Sequence, residues 1–321
     1  MRRRQVILLA VLVATFLALP FFIGGFGLRT VTHIFMFAVL ASALNIMAGF
    51  TGYAPFGNML FFGVGAYTTA MLINYLDTPL VVALPASGIV ALLFAILFGV
   101  LFLRLRGQYF ALATTGAAEA IRQVVTNVRA TGGGQGITVP GIAGSPAFIN
   151  TFFYYLMFAL VVLIVTFVWN LDRSRLGYAF KAIRANEEAA GVMGIDTTRY
   201  KITAWSLSAL FTGVVGGVYA LWLSYIDPPA VFNIMWTVRM FVILLLGGIG
   251  TVFGPVLGAF IIEALSELVW ARFLYLHMGV LGLLIIIVVM FMPNGIVQLV
   301  KERQAGVLLI LRKMNLVKER Q

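Results

Sequence analysis

Long stretches free of Asp, Glu, Lys and Arg alternate along the chain with short charged ones. The charge-free windows are 5–28, 30–76, 78–103, 130–171, 202–226, 240–262 and 273–300. Each is long enough to cross a hydrocarbon core, which takes about 20 residues of helix. The second window is too long for one helix, and Gly49, Gly52, Pro55 and Gly57 interrupt it with residues that break or reverse a chain. The pattern predicts ten spans, near 5–28, 30–48, 55–76, 79–103, 108–128, 150–171, 201–226, 233–249, 252–270 and 277–300. The eighth and ninth are short and separated only by Gly247-Gly-Ile-Gly250. The expected fold is an all-α polytopic membrane protein of about ten transmembrane helices: a membrane domain over 1–300, with a polar segment at 172–200, and a tail at 301–321.

Composition agrees, with 62% apolar and only 10% charged residues, where soluble domains carry about a quarter charged. The net charge of +11 then becomes a question of sidedness, because Lys and Arg accumulate in cytoplasmic loops. With ten spans and the amino terminus inside, seventeen of the twenty-two bases fall on the cytoplasmic side: Arg2 to Arg4, Arg104, Arg106, six between 173 and 201, and six from 301 onward. Only Arg29, Arg129 and Arg272 lie outside, while Arg122 and Arg239 fall within spans. Merging the eighth and ninth spans puts the basic tail outside, so ten is the better count and both termini are expected in the cytoplasm. A cleaved signal peptide is disfavoured, since the first apolar run exceeds the usual 7–15 residues and no A-x-A site closes it.

Chemistry is scarce. There is no cysteine, hence no disulfide framework, thiolate metal site or thiol nucleophile. The Gly132–Gly136 run lacks the lysine and following hydroxyl of a phosphate-binding loop. His33 and His277 stand alone near span ends and read as interfacial residues, with no paired-histidine metal spacing. No catalytic cluster and no metal site emerge, so the chain is not expected to be an enzyme.

Within the spans, Glu119 and Arg122 stand three apart, close enough to pair on one helix face. Arg239, Glu263 and Glu267 lie toward the outer half of the bilayer under this topology. Structural pairing or snorkelling explains them most simply; the sharper expectation is a polar pathway for a zwitterionic solute. The small-residue patterns Gly63-x-Gly65, Gly213-x-x-Gly216-Gly217 and Gly254-x-x-x-Gly258 let helix backbones approach closely. Where Gly and Pro break a span, at Gly52–Gly57 and Gly250–Pro255, freed carbonyls must face protein or a watery cavity. Those two breaks are the best pointers to a transport route.

The segment 172–201 is a third charged. Its residues 174–190 have helix-forming composition and predict one short surface helix, with Lys181, Arg184 and Glu188 along one face and Phe180, Ile183 and Ala190 offset from it. Gly191 or Gly194 is expected to end it. Charge combined with apolar anchors suits docking on a partner protein.

At this point the chain resembles the permease subunits of ATP-binding-cassette importers, specifically the M-type branched-chain amino acid permeases. Arg184-Ala-Asn-Glu-Glu-Ala-Ala-Gly-Val-Met-Gly-Ile195 is similar to their cytoplasmic segment, and Gly49–Tyr67, Leu105–Thr114, Thr131–Gly136 and Gly247–Ala259 resemble further segments in the family's order. The resemblance covers about 30–300. It implies a permease subunit in the inner membrane of a prokaryote, paired with a second permease and fed by an extracytoplasmic solute-binding protein. Two cytoplasmic ATPases would dock on 174–195 through Arg175, Gly177, Lys181, Arg184, Glu187, Glu188, Ala189 and Gly194. ATP and magnesium would be used by those partners, with no cofactor on this chain and no nucleic acid. Asn58, Tyr67, Glu119, Arg122, Arg239 and Glu263 are the candidate pathway residues. The chain departs from the family at Ala54-Pro55 and at Asn58, where many members have a histidine; asparagine cannot titrate, which excludes a protonation role there. Branched-chain amino acids are the favoured solute, with urea or short amides as the alternative. The rival of another class is an ion-coupled secondary transporter or channel acting alone. Finally, Leu299–Gln304 recurs as Leu316–Gln321, read as an interfacial helix or a local duplication.

Overall fold

The computed structural model describes residues 14–142 and 144–272, with Gly279 and Gly282. The tenth predicted span, His277 and the tail with its repeat lie outside the described residues. Residues 14–18 are helical, and Leu19–Phe21 forms a single 3-10 turn. The helices that follow are α1 (Gly25–Leu44), α2 (Met59–Leu76), α3 (Leu80–Phe102), α4 (Gln108–Asn127), α5 (Pro146–Asp172), α6 (Arg175–Ala185), α7 (Glu187–Val192), α8 (Thr197–Leu223), α9 (Pro228–Val231), α10 (Ile234–Gly247) and α11 (Gly254–Arg272). Two-residue strands, β1 (Ile137–Thr138) and β2 (Tyr225–Ile226), pair antiparallel with Ile137 opposite Ile226.

Six of the described helical segments are long and apolar enough to cross a membrane: Gly25–Gly49, Phe56–Leu76, Leu80–Phe102, Pro146–Asp172, Thr197–Leu223 and Pro228–Gly247. They match the predicted second, third, fourth, sixth, seventh and eighth spans. The predicted fifth and ninth are helices of the expected extent, α4 and α11, and stand outside that set of six. The Gly247–Gly250 turn keeps α10 and α11 as separate helices.

α8 and α1 form the centre. α1 buries Phe35, Met36, Phe37 and Leu40, and α8 packs along α2 and α3. Small residues allow this approach, as the spacings predict. A Cβ on Gly65 would collide with the carbonyl of Gly213, and one on Gly216 with the carbonyl of Phe62. Gly213 is held in turn against Ser87 and Ala91 of α3. Gly258 meets the carbonyl of Ile243 where α11 crosses α10. Such contacts bring backbones together where lipid supplies no hydrophobic drive.

The loops group at two ends of the bundle as alternating spans predict, and the ends are called outer and inner after the side expected of each. The loops expected outside touch one another: the Asn74 amide donates to Thr138 O at 2.7 Å, the Tyr75 hydroxyl to Ala130 O at 2.8 Å, and the Tyr225 hydroxyl to Gln135 O at 2.7 Å. β1 and β2 close the same end. The loops expected inside, 49–57, 103–107, 172–201 and 248–253, gather at the other end.

Candidate functional site

Four segments far apart in sequence meet at the inner end. α1 does not stop at Leu44; its last turn widens into a π-helix over Asn45–Gly49, a distortion that often marks functional sites. Residues 52–55 that follow carry no regular structure, with Gly52 at φ 80°, and Phe56–Asn58 is a 3-10 turn leading into α2. On the other side, α10 ends at Gly247 and the turn through Gly250 (φ 77°) leads to α11. Asn45 joins the two breaks: its Oδ1 accepts from Gly250 N at 2.8 Å and its Nδ2 donates to Thr251 O at 2.8 Å. Freed backbone groups of the second break thereby find a partner inside the protein, and the two sequence-predicted pointers to a transport route are neighbours in space.

The segment 172–201 lies against them. Ser174 caps α6 by accepting from Gly177 N at 3.2 Å, and Lys181 pairs with Asp172 at 2.6 Å. Phe180 and Ile183 are buried, as expected of its apolar face. The predicted single helix over 174–190 is instead two. Asn186 is extended at φ −162° and ψ 111°, and its Oδ1 caps α7 by accepting from Ala189 N at 3.0 Å. Lys181 and Arg184 therefore sit on α6 and Glu188 on α7, not along one helix face. α7 ends at Val192, and Gly194 takes a positive φ of 86°.

Arg184 turns its guanidinium toward the breaks and donates from Nη1 to the carbonyl of Gly49. The same nitrogen occupies the space that a side chain on Gly250 would need. Three residues on, Glu187 accepts from the Tyr53 hydroxyl and from Lys201 Nζ, the latter at 2.7 Å. Lys201 is 2% exposed. It also donates to Leu103 O at 3.0 Å and to the Tyr53 hydroxyl at 3.2 Å, and stands 4.6 Å from the centre of that ring. Burial pushes the Glu187 carboxyl up, but hydrogen bonds from Lys201 and Tyr53 outweigh it and hold the carboxyl below its ordinary value. Burial and the Glu187 carboxylate both raise the Tyr53 hydroxyl. Arg106 closes the rim, 2.9 Å from Glu188. Of the eight residues expected on this segment, Arg175, Glu188, Ala189 and Gly194 face outward, Gly177 is buried, Lys181 pairs with Asp172, and Arg184 and Glu187 reach the breaks.

The candidate pathway residues fall in three places. Glu119 and Arg122 pair on α4, with Arg122 Nε donating to Glu119 Oε2 at 2.8 Å. They lie on a side that also presents Gln123 and Asn127, whereas the exposed side of α3 is apolar, with Val81, Leu93, Leu97 and Leu101. Arg239 donates to Glu263 at 2.7 Å and to the Ser266 hydroxyl at 3.1 Å, with Glu263 midway along α11. His33, expected to stand alone, joins them at 3.1 Å from Glu263, which is 4% exposed. Asn58 is fully buried, donating to the Thr212 hydroxyl at 3.3 Å, and Tyr67 is buried against Phe232.

Residues 27–289 match the family described as "Branched-chain amino acid transport system / permease component". The chain belongs to that family. Among the proteins it is similar to is the high-affinity branched-chain amino acid transport system permease protein LivM of Salmonella typhimurium, 30% identical over 93% of this chain and 76% of LivM. The LivM of Escherichia coli is 31% identical with the same coverage. A shorter likeness, 29% identical over 34% of each chain, reaches the autoinducer 2 import system permease protein LsrC of Photorhabdus laumondii. No solved structure matches the chain. As a family member it is a membrane transport protein and not an enzyme. Both of its broken-helix segments and the whole of 172–201 fall inside the matched residues.

Proposed function

We propose that this chain is the membrane-spanning permease subunit of an ATP-driven importer that carries branched-chain amino acids, or related small polar solutes, across the inner membrane of a prokaryote. It pairs with a second permease, receives solute from an extracytoplasmic binding protein, and docks two ATPases on α6 and α7. Those partners bind ATP and magnesium; this chain carries no cofactor.

The observation that carries the reading is the state of α6 and α7. Their inward side is tied into the bundle by Arg184 and Glu187, while their outward side presents Tyr178, Val192 and Met193, the last two 88% and 82% exposed, next to Ala189 and Glu188. Large apolar groups exposed beside charged Glu188 suit a partner that covers them. The polar side of α4 supports a water-filled path shared with the second permease, since Glu119, Arg122, Gln123 and Asn127 are costly against lipid.

The test is co-purification of the assembled importer. Ala189→Asp or Met193→Asp is expected to lose the ATPases while the permease pair stays intact. If both variants retain the ATPases and transport normally, α6 and α7 are not the docking site.

A further inference from the structure

Resting on that reading, we propose that α6 and α7 grip the break at 49–57 at two points, one on each side of their kink, and that Arg184, Glu187 and Tyr53 are positioning residues passing ATPase movement to the inner ends of α1 and α10. Arg184, in the last turn of α6, holds the carbonyl of Gly49. Glu187, the first residue of α7, holds the hydroxyl of Tyr53. Two residues three apart on the docking segment thus hold two residues four apart on the break, with extended Asn186 between the grips.

The neighbourhood makes this more than local packing. Asn45 ties the Gly49 break to Gly250 and Thr251, so displacing Gly49 also pulls on the turn between α10 and α11. The Cγ of Arg184 sits where a Cβ on Gly52 would come within 3.3 Å. Gly250 leaves room for the Arg184 guanidinium and Gly52 for its stem, while Gly49 leaves room for the Asn45 amide. Lys201 fixes the Glu187 end to the carbonyl that terminates α3, giving the second grip a stationary anchor. A kink with one grip on either side behaves as a lever: with the Tyr53 grip anchored, tilting α6 about Asn186 moves Gly49 relative to Tyr53. Both grips are polar, and hydrogen bonds can exchange between two arrangements in a way that close-packed apolar side chains cannot.

The experiment uses the complete importer in proteoliposomes, with its binding protein and radiolabelled leucine as the probe. ATP hydrolysed per leucine accumulated, ATPase retention and thermal unfolding are measured together. Tyr53→Phe and Arg184→Gln are expected to retain the ATPases and raise ATP consumed per leucine about tenfold, within the usual range of a coupling between sites. Arg184→Lys, which keeps a donor for Gly49 O, is expected to stay within about twofold of the parent. Unchanged stoichiometry in both of the first two variants overturns the grip. So does a fall in unfolding temperature with hydrolysis and uptake lost in proportion, which is the signature of a merely structural contact. A parent complex that neither retains the ATPases nor accumulates leucine overturns the importer reading itself, and is told apart because no variant is needed to see it.

Discussion

Lys201 Nζ lies 2.7 Å from Glu187 Oε1, and the lysine is 2% exposed. A cation so enclosed is held by three acceptors, and removing its carboxylate leaves a charge with only a carbonyl and a phenol. Breaking a buried pair from one side typically costs about 3–5 kcal/mol, while removing both charges costs far less. Lys201→Met and Glu187→Gln should each lower the unfolding temperature of the purified protein by several degrees. The double variant Lys201→Met with Glu187→Leu should recover most of the loss. Additive losses would show that the two groups act separately.

The same carboxyl sets a pH expectation. Because Glu187 titrates below its ordinary value in the folded protein, its stabilisation is fully present above the unfolded value, about 4.3. It is lost only as pH falls through the lower, folded value. The stability difference between the parent and Glu187→Gln should therefore be constant from about pH 8 to pH 5 and shrink in stronger acid. Thermal unfolding across that range checks it, and a difference that fades near neutrality contradicts it.

Close backbone contact between α2 and α8 predicts a steep response at Gly216. An added Cβ would run into the carbonyl of Phe62, and the neighbour is backbone that cannot rotate away. Gly216→Ala should destabilise by about 1–3 kcal/mol, as overpacking does. Gly116→Ala, on the outer side of α4 with nothing within 4 Å, should leave the unfolding temperature unchanged. Equal effects at the two positions would refute the packing argument.

Midway along α11, Glu263 shares Arg239 with Ser266. Arg239→Gln should reduce the amount of folded protein in the membrane, because the buried Glu263 carboxylate keeps only the His33 ring as a partner among the described residues. Adding Glu263→Gln should restore that amount by removing the buried charge. If the double variant folds but fails in uptake, the pair contributes to the solute route as well as to folding.

What the sequence shows and what it hides divide along one physical line. Helix extents follow from windows without charge, and Gly65, Gly213, Gly216 and Gly258 announce helix crossings by spacing alone. Which loops share an end of the bundle follows from the alternation of the spans. Side-chain partners are different, because no periodicity links Lys201 to Glu187 or His33 to Glu263, 230 residues away. Lys201 does give a faint signal, standing at the head of a run with no other charge up to Ile226. The kink at Asn186 is obscured by the alanines and glutamates around it, which favour helix on either side. Asn186-Glu187-Glu188 is nonetheless a cap followed by acids, the usual start of a new helix, and gives the break away when read as a beginning.

The pairing of β1 with β2 gives the two ends of the bundle different mutational fates. At the inner end the ties are side chains, so single substitutions can loosen, tighten or recharge them one at a time. At the outer end Ile137–Thr138 and Tyr225–Ile226 are joined through main-chain groups, which every residue except proline supplies. The strand tie is thus carried by the main chain, while Ile137 and Ile226 are buried in the core, so that substitutions there act through packing and not through the tie itself.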